Sequence, residues 1–385
     1  MTKPELIHFD KSNWKEYIEH DFSRQIWCVL GFPIDNTYLQ KVKESIDYFI
    51  ENKRQCVVST VNLNFSDCAI HSDEFRNAVN MSDIGVIDGF PVFLVSKLLN
   101  MPIPERTSGS VLINYLLRNK WDEQYSVYWY GSGEGIAQKA CEETNKLNTG
   151  HKAVGYHFPG YGTVSSMQQN ESIKQINETN PDLLLLALSA KKGCVWIEHN
   201  RKATNANVLS HIGSVLDFFA GTESESPPWT RKIGMEWLWK AIMKPALFKR
   251  FFKEGITFAK TLVFNVLPLK NLQRKHAHLI DKPTAVTIQT ESTDGKSILK
   301  FAGSLTISSY QQVAEQLKAV IMGEVDLDLD LADVDYIDNS IIGLFMLSKK
   351  YQVNLDNDLR LVNCPKHIRK IFKYNLVDTL FTIKE

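Results

Sequence analysis

Residues 183–189 read Leu-Leu-Leu-Leu-Ala-Leu-Ser, and this run constrains the fold more than any other stretch of the chain. A strand with one wet face alternates apolar and polar side chains. A strand without alternation is covered on both faces, as in the interior of a parallel sheet flanked by helices. The surroundings agree. Apolar runs at 27–34, 56–62, 84–88, 126–131, 152–158, 183–188 and 208–216 alternate with helical stretches at 37–53, 92–99, 111–119 and 135–147. This rhythm predicts an α/β domain with a largely parallel, Rossmann-like sheet. Ligands of such sheets sit beyond the C-terminal ends of the strands, so polar residues just past those ends are the candidates for a site.

The 385 residues carry 44 basic and 44 acidic side chains, which argues against a globally basic nucleic-acid binder. The length suits two domains or more. Cys28, Cys56, Cys68, Cys141, Cys194 and Cys364 are scattered, with no metal or disulfide spacing, and read as free thiols of a reducing cytosol. The polar start, MTKPELIHFDKSNW, lacks a signal-peptide core, and no apolar run reaches the roughly 18 residues of a membrane span. A cytoplasmic protein is expected.

Charge is unevenly spread. Residues 229–275 hold 11 Lys or Arg against two acidic residues, Glu236 and Glu254, and three of the eight tryptophans, Trp229, Trp237 and Trp239. Phe248, Phe251 and Phe252 add rings, and Ile256, Ala259, Val263, Val266 and Leu267 recur at helical spacing. Basic charge with interfacial rings is a design for a membrane surface, and each basic residue near an anionic leaflet contributes about 1 kcal/mol. Packing on the first domain or in an oligomer would use the same apolar residues. Four regions follow: an α/β core at 1–221, a basic amphipathic helical appendage at 222–270, a linker at 271–284 and a small α/β domain at 285–385.

Five motifs invite chemistry. Thr60 and Asn62 end a buried strand, where they either hold a ligand or cap a helix. Asp88 follows an apolar strand and precedes Gly89, a place for a general base or for a turn. Arg106 lies before a helix opening at Gly109 and could clamp a phosphate. Gly131, Ser132 and Gly133 follow a strand in a GxGxG pattern, so the dinucleotide fingerprint GxGxxG is absent. Asp326, Asp328 and Asp330 alternate with leucine, the period of a strand, and read as a solvated face rather than a metal motif.

In order and spacing, Thr60-x-Asn62, Ile87-Asp88-Gly89, Arg106-x-x-Gly109, Tyr130-Gly131, Pro181-Asp182-Leu183-Leu184, Asp217-Phe218-x-Ala220-Gly221, Pro228-Trp229 and Gly234-Met235-Glu236-Trp237-Leu238 resemble the WecG/TagA/CpsF family, glycosyltransferase family 26. The resemblance implies an inverting transfer from a UDP-sugar to a polyprenyl-diphosphate-linked sugar, N-acetylmannosamine or a related sugar being the one moved. It implies no cofactor and no DxD-bound metal. Asp88 matches the catalytic base; Thr60 and Asn62 match sugar-holding residues; Arg106 matches the diphosphate ligand. Gly131, Ser132 and Gly133 are expected to face the donor. Arg231, Lys232, Lys240, Lys249 and Arg250 are expected to meet the lipid diphosphate and the inner membrane surface, making the enzyme peripheral to the inner face of the cytoplasmic membrane. The family's GxPKQExW appears as Ser189–Trp196, with Gly193 and Cys194 in place of Gln and Glu; its RAPxW has lost its arginine; its EWLxR ends in Lys240. A second reading follows from these changes, a catalytically impaired binder of nucleotide sugars or scaffold.

The last hundred residues resemble a STAS domain through Phe301-Ala302-Gly303-Ser304-Leu305, Leu329-Asp330-Leu331-Ala332-Asp333-Val334 and Tyr336-Ile337-Asp338-Asn339-Ser340-Ile341-Ile342-Gly343-Leu344. That resemblance implies a regulatory module that docks a protein partner or oligomerises. It makes Ser340 a candidate phosphosite, where about −2 of charge would fall at a helix N-terminus; Asp338 or Ser340 is also expected to cap that helix.

Overall fold

The computed structural model describes residues 6–9, 11–167, 170–227, 229–230, 236–243, 248–281, 286–293 and 295–384. The chain divides into two compact units. The first comprises Met1–His8, Thr37–Phe93 and Pro104–Ile256; the second comprises Phe9–Asn36, Leu94–Ile103 and Thr257–Glu385.

The apolar run at 27–34, expected as the first strand of the large sheet, is instead a hairpin of the second unit, β1 (Ile26–Val29) and β2 (Phe32–Asp35). Its turn is the reason. Leu30 and Gly31 take φ of 52° and 84°, and two consecutive left-handed residues close a two-residue hairpin whose twist matches its strands.

The first unit is built on six parallel strands: β3 (Cys56–Val61), β4 (Ile84–Ile87), β5 (Ser126–Gly131), β6 (Lys152–His157), β7 (Leu183–Ala187) and β8 (Val208–His211). Their spatial order is β4-β3-β8-β7-β5-β6. The leucine run forms β7, interior and buried at every position, whereas edge strand β6 alternates exposed and half-buried residues. Tyr128, Tyr130, Leu184, Leu186, Trp196 and Leu209 pack one core between sheet and helices. Strand β8 ends at His211, short of the expected 216, because Gly213 turns the chain at φ 53° and a helix begins at Val215. Two helices outside the sequence reading, Leu63–His71 and Asp73–Asn80, follow β3 and are capped by Asn62 and Ser72. Since all six strands run the same way, their C-terminal ends share one rim.

The second unit carries a five-stranded sheet: β9 (Thr287–Thr293), β10 (Lys296–Leu305), β11 (Asp326–Ile337), β12 (Leu359–Val362) and β13 (Thr382–Lys384), with β9 alone antiparallel to its neighbour. Helices Tyr310–Ile321, Asn339–Asn354 and Lys366–Tyr374 accompany it. The stretch expected as a linker is helical through Asp281; within it the His276 ring stacks on Tyr336 at 5.0 Å, and a ring packed on a strand is not a tether. The expected solvated aspartate face is also different. Asp328 is buried, held by Lys296 of β10 (2.6 Å) and Arg360 of β12 (2.7 Å), because β11 lies between two strands that each present a cation to it. Among the described residues, no helix is long and apolar enough to cross a membrane.

Candidate active site

The rim of the six-stranded sheet gathers most of the candidates. Register pairs Thr60 with Val86 and Val61 with Ile87, and the Asp88 amide continues the ladder to the Val61 carbonyl (2.9 Å). Asn62 and Asp88 therefore leave the sheet side by side. The Asn62 side chain works twice: its Oδ1 accepts from the Phe65 amide (3.3 Å), capping the next helix, and its Nδ2 donates to Asp88 Oδ2 (3.4 Å). Gly89 makes this approach feasible, since a Cβ there would sit 3.3 Å from Asn62 Cβ.

Arg106 reaches the same place by another route. The Thr107 amide donates to the Ile87 carbonyl (2.8 Å), so Asp88 and Arg106 flank one backbone hydrogen bond. Ser108 caps the helix Gly109–Arg118, and Gly109 sits where a Cβ would lie 3.5 Å from Thr60 Oγ1. That helix N-terminus, an anion-attracting feature, thus borders buried Thr60. Arg106 is 17% exposed and pairs with Glu236 at 2.6 Å, on the helix Glu236–Met243.

The glycine turn lies on the same rim, at the end of β5, with β8 and β7 between it and β3. At about 4.8 Å per strand spacing, β3 and β5 stand about 14 Å apart. Gly131 takes φ 98°, and a Cβ there would strike the Ala187 carbonyl. Ser132 takes φ 62°, its amide donates to the Ala187 carbonyl (2.6 Å), and its Oγ donates to Asp217 Oδ1 (2.8 Å). Gly133 follows, and Gly135 at φ 74° caps the helix Ile136–Lys146. Between the two halves stands His211, absent from the sequence-based candidates. It ends β8, is buried, and its Nε2–H donates to the Leu188 carbonyl (2.9 Å). Burial lowers its pKa and so favours the neutral ring. Its ring also explains Gly193: a Cβ at 193 would overlap His211 Cδ2. The signal was available, because a polar residue closing an apolar strand is the rule that selects Thr60 and Asp88.

The basic appendage is partly described. Arg231 and Lys232 lie outside the described residues, as does the side chain of Lys240. Lys249 is exposed; Arg250 is exposed, stacks on Phe251 (5.0 Å) and pairs with Glu254 (3.2 Å). Burial raises the Glu254 pKa against that pairing. Phe248, Phe252 and Ile256 are exposed at four-residue spacing, hence on one helix face, and Trp229, Ile242 and Met243 are exposed nearby in sequence.

In the second unit Asp338 caps the helix Asn339–Asn354, its Oδ1 accepting from the amides of Ser340 (2.9 Å) and Ile341 (3.2 Å). Ser340 is fully enclosed, and its Oγ donates to the same carboxylate oxygen (2.5 Å).

Comparison with known proteins gives two family matches: the glycosyl transferase WecG/TagA/CpsF family over residues 27–272, and the Mlab, STAS domain family over residues 288–382. The chain is 25% identical over 227 residues, 59% of its length and 87% of the relative's, to an N-acetylglucosaminyldiphosphoundecaprenol N-acetyl-beta-D-mannosaminyltransferase of Bacillus subtilis. It is 23% identical over 218 residues to the enzyme of the same name from Staphylococcus aureus, covering 56% of this chain and 84% of that one. Among solved structures, an anti-sigma factor antagonist from Mycobacterium paratuberculosis matches with 20% identity and a TM-score of 0.23, over 26% of this chain and 87% of that chain.

Proposed function

Because the chain belongs to the WecG/TagA/CpsF family of glycosyl transferases, we propose that it moves a sugar from a UDP-sugar to a polyprenyl-diphosphate-linked sugar with inversion, and that its STAS unit regulates this. The observation that carries the reading is the pairing of Asp88 with Asn62 on the rim that also presents Arg106 and the Gly109 helix N-terminus. In the reaction the acceptor hydroxyl oxygen bonds to the anomeric carbon as the bond from that carbon to the UDP β-phosphate oxygen breaks. The electron pair leaves with UDP, and the hydroxyl proton passes to an Asp88 oxygen. Asn62 holds the carboxylate by its amide. Developing charge on the diphosphate is met by Arg106 and by the Gly109 helix N-terminus, groups placed before the charge develops. Glu236 holds Arg106 until an anion takes its place. No metal is needed in this scheme, as the cations are the chain's own.

The lipid-borne acceptor, which the named relatives share, calls for a membrane-facing enzyme. Exposed Phe248, Phe252 and Ile256 beside Lys249 and Arg250 supply rings and charge for that surface. Gly193, where the family resemblance has glutamine, leaves room for the His211 ring, and this change supports a donor sugar other than that of the relatives. A second reading, nucleotide-sugar binding without turnover, draws on Arg106 being already neutralised by Glu236.

A panel of UDP-sugars assayed with polyprenyl-diphosphate-N-acetylglucosamine in membrane vesicles tests this. Asp88→Asn is expected to lower kcat by about 10²–10⁴, the range of a lost general base, while a nucleotide sugar still raises the Tm of the variant. Turnover within threefold of wild type would remove Asp88 from the chemistry; binding without turnover in wild type would establish the second reading.

A further inference from the structure

The helix Asn339–Asn354 is buried on every side from Asn339 to Ser348, which the sheet beneath it cannot accomplish alone, because a helix on a sheet keeps one face outward. The covering comes from the chain's own N-terminal segment, residues 9–36, which belongs to the same compact unit. At the helix start, Asn339 Nδ2 donates to the Cys28 carbonyl (2.9 Å). At its end, the Tyr351 hydroxyl donates to Asp21 Oδ2 (3.1 Å), with Lys350 Nζ 3.6 Å from the same carboxylate and Arg24 3.0 Å from its other oxygen. The Tyr351 ring meets Phe9 at 4.9 Å and Phe22 at 5.7 Å. From the neighbouring helix, the Tyr310 hydroxyl accepts from the Ile26 amide (3.0 Å) and donates to the Arg24 carbonyl (2.9 Å).

Gly343 shows that the sequence is adapted to this occupant. Glycine inside a helix is a poor choice compared with alanine. Here a Cβ would strike the Ile26 carbonyl, so the docked hairpin leaves no room for one.

We propose that residues 9–36 are an intramolecular ligand of the STAS unit, seated on the face of the helix Asn339–Asn354, which any protein partner must displace to reach that face. The segment is covalently continuous with the strand that carries Thr60 and Asn62, so regulation by the STAS unit, as read above, acts first on the chain that bears it. Buried Ser340 and Asn339 become accessible to a partner or a modifying enzyme when the segment leaves.

The test uses the full chain and does not measure sugar transfer, so its failure is distinct from failure of the transferase reading. Gly343→Ala favours the helix if its face is bare and opposes docking if it is filled. Hydrogen exchange of 26–35 and alkylation of buried Cys28 are followed by peptide mass spectrometry, with 56–61 and 126–131 as internal controls. Docking predicts that Gly343→Ala accelerates both readouts at least tenfold, and that Tyr310→Phe, which adds no bulk, accelerates them several-fold, with the control strands unchanged. Should Cys28 react in the wild type as fast as in urea, or should neither variant change the exchange of 26–35, the proposal fails.

Discussion

The two units place polar groups at equivalent points, just past strand ends and at helix starts, and treat them in opposite ways. On the rim of the large sheet, Asp88 and Arg106 stay half-buried, Asn62 donating to the first at 3.4 Å and Glu236 pairing with the second at 2.6 Å, contacts that the proposed substrate would replace. In the second unit, Asp338 is enclosed at a helix start and accepts from three backbone amides and one hydroxyl, and Asp21, inside the helix Lys15–Ser23, is enclosed between Arg24, Lys350 and Tyr351. The same residue types are exchangeable in one place and structural in the other. What separates them is whether the desolvation of a charge has been offset inside the protein or left for a ligand to offset.

Removing one member of an enclosed cluster gives the largest effect that tests this contrast. Asp21→Ala strands Lys350 and Arg24, and breaking a buried pair costs about 3–5 kcal/mol. Chemical unfolding followed through the second unit should show that loss. The pH dependence supplies the sign. Lys350, Arg24 and His20 outweigh the cost of burial and hold the Asp21 carboxyl well below the usual carboxylate range. A lowered folded pKa means stability that is present above about 3.9, the ordinary value, and lost as pH falls beneath it. Asp338 opposes this, since burial raises its pKa, and its share grows as pH falls. The wild type should therefore lose stability below about pH 4, and Asp21→Asn should flatten that slope. An unchanged slope would place Asp21 among the exchangeable groups.

Legibility in the sequence follows the same division. The parallel sheet was readable because β7, β5 and β3 announce themselves by local period, and Asp88, Thr60 and Asn62 by position at strand ends. The hairpin β1–β2 was not, since Leu30-Gly31 lies inside an apolar run whose two halves look like one strand. The burial of Asp328 has no local signal, because its cations, Lys296 and Arg360, come from two other strands. Glu236 and Asp217 lie inside the motifs that carry the family resemblance, yet their partners, Arg106 and Ser132, are 130 and 85 residues away, and pairing at that range is tertiary information. Attachment of 9–36 to the last hundred residues is the extreme case: only Gly343 hinted at it, and a helical glycine has several explanations.

An intermediate effect is expected at Arg106. On the exchangeable reading, Arg106→Ala removes a cation that a diphosphate would use, worth about 2–3 kcal/mol for a hydrogen bond to a charged group. KM for the UDP-sugar should rise about 30–150-fold, while the Tm without ligand changes little because Glu236 is itself a quarter exposed and can turn to water. A large fall in Tm with unchanged KM would make this pair structural and erase the distinction between the two units.

The smallest effect is expected at Ser340. Its hydroxyl is enclosed and bonded to a carboxylate, which by itself suggests a loss of about 1.5–3 kcal/mol on Ser340→Ala. The lower end applies, because Asp338 keeps the amides of Ser340, Ile341 and Ile307, and alanine favours the helix. Ser340→Ala should therefore lower stability by about 1.5 kcal/mol, leave sugar transfer within twofold, and leave exchange of 26–35 near the wild-type rate. Ser340→Asp differs in kind, since it sets a second carboxylate against Asp338 in an enclosed site, and like charges there cannot both ionise. It should release residues 9–36 as Gly343→Ala does. If Ser340→Asp were as stable and as protected as wild type, Ser340 would belong with the open rim, and enclosure would no longer distinguish the two units.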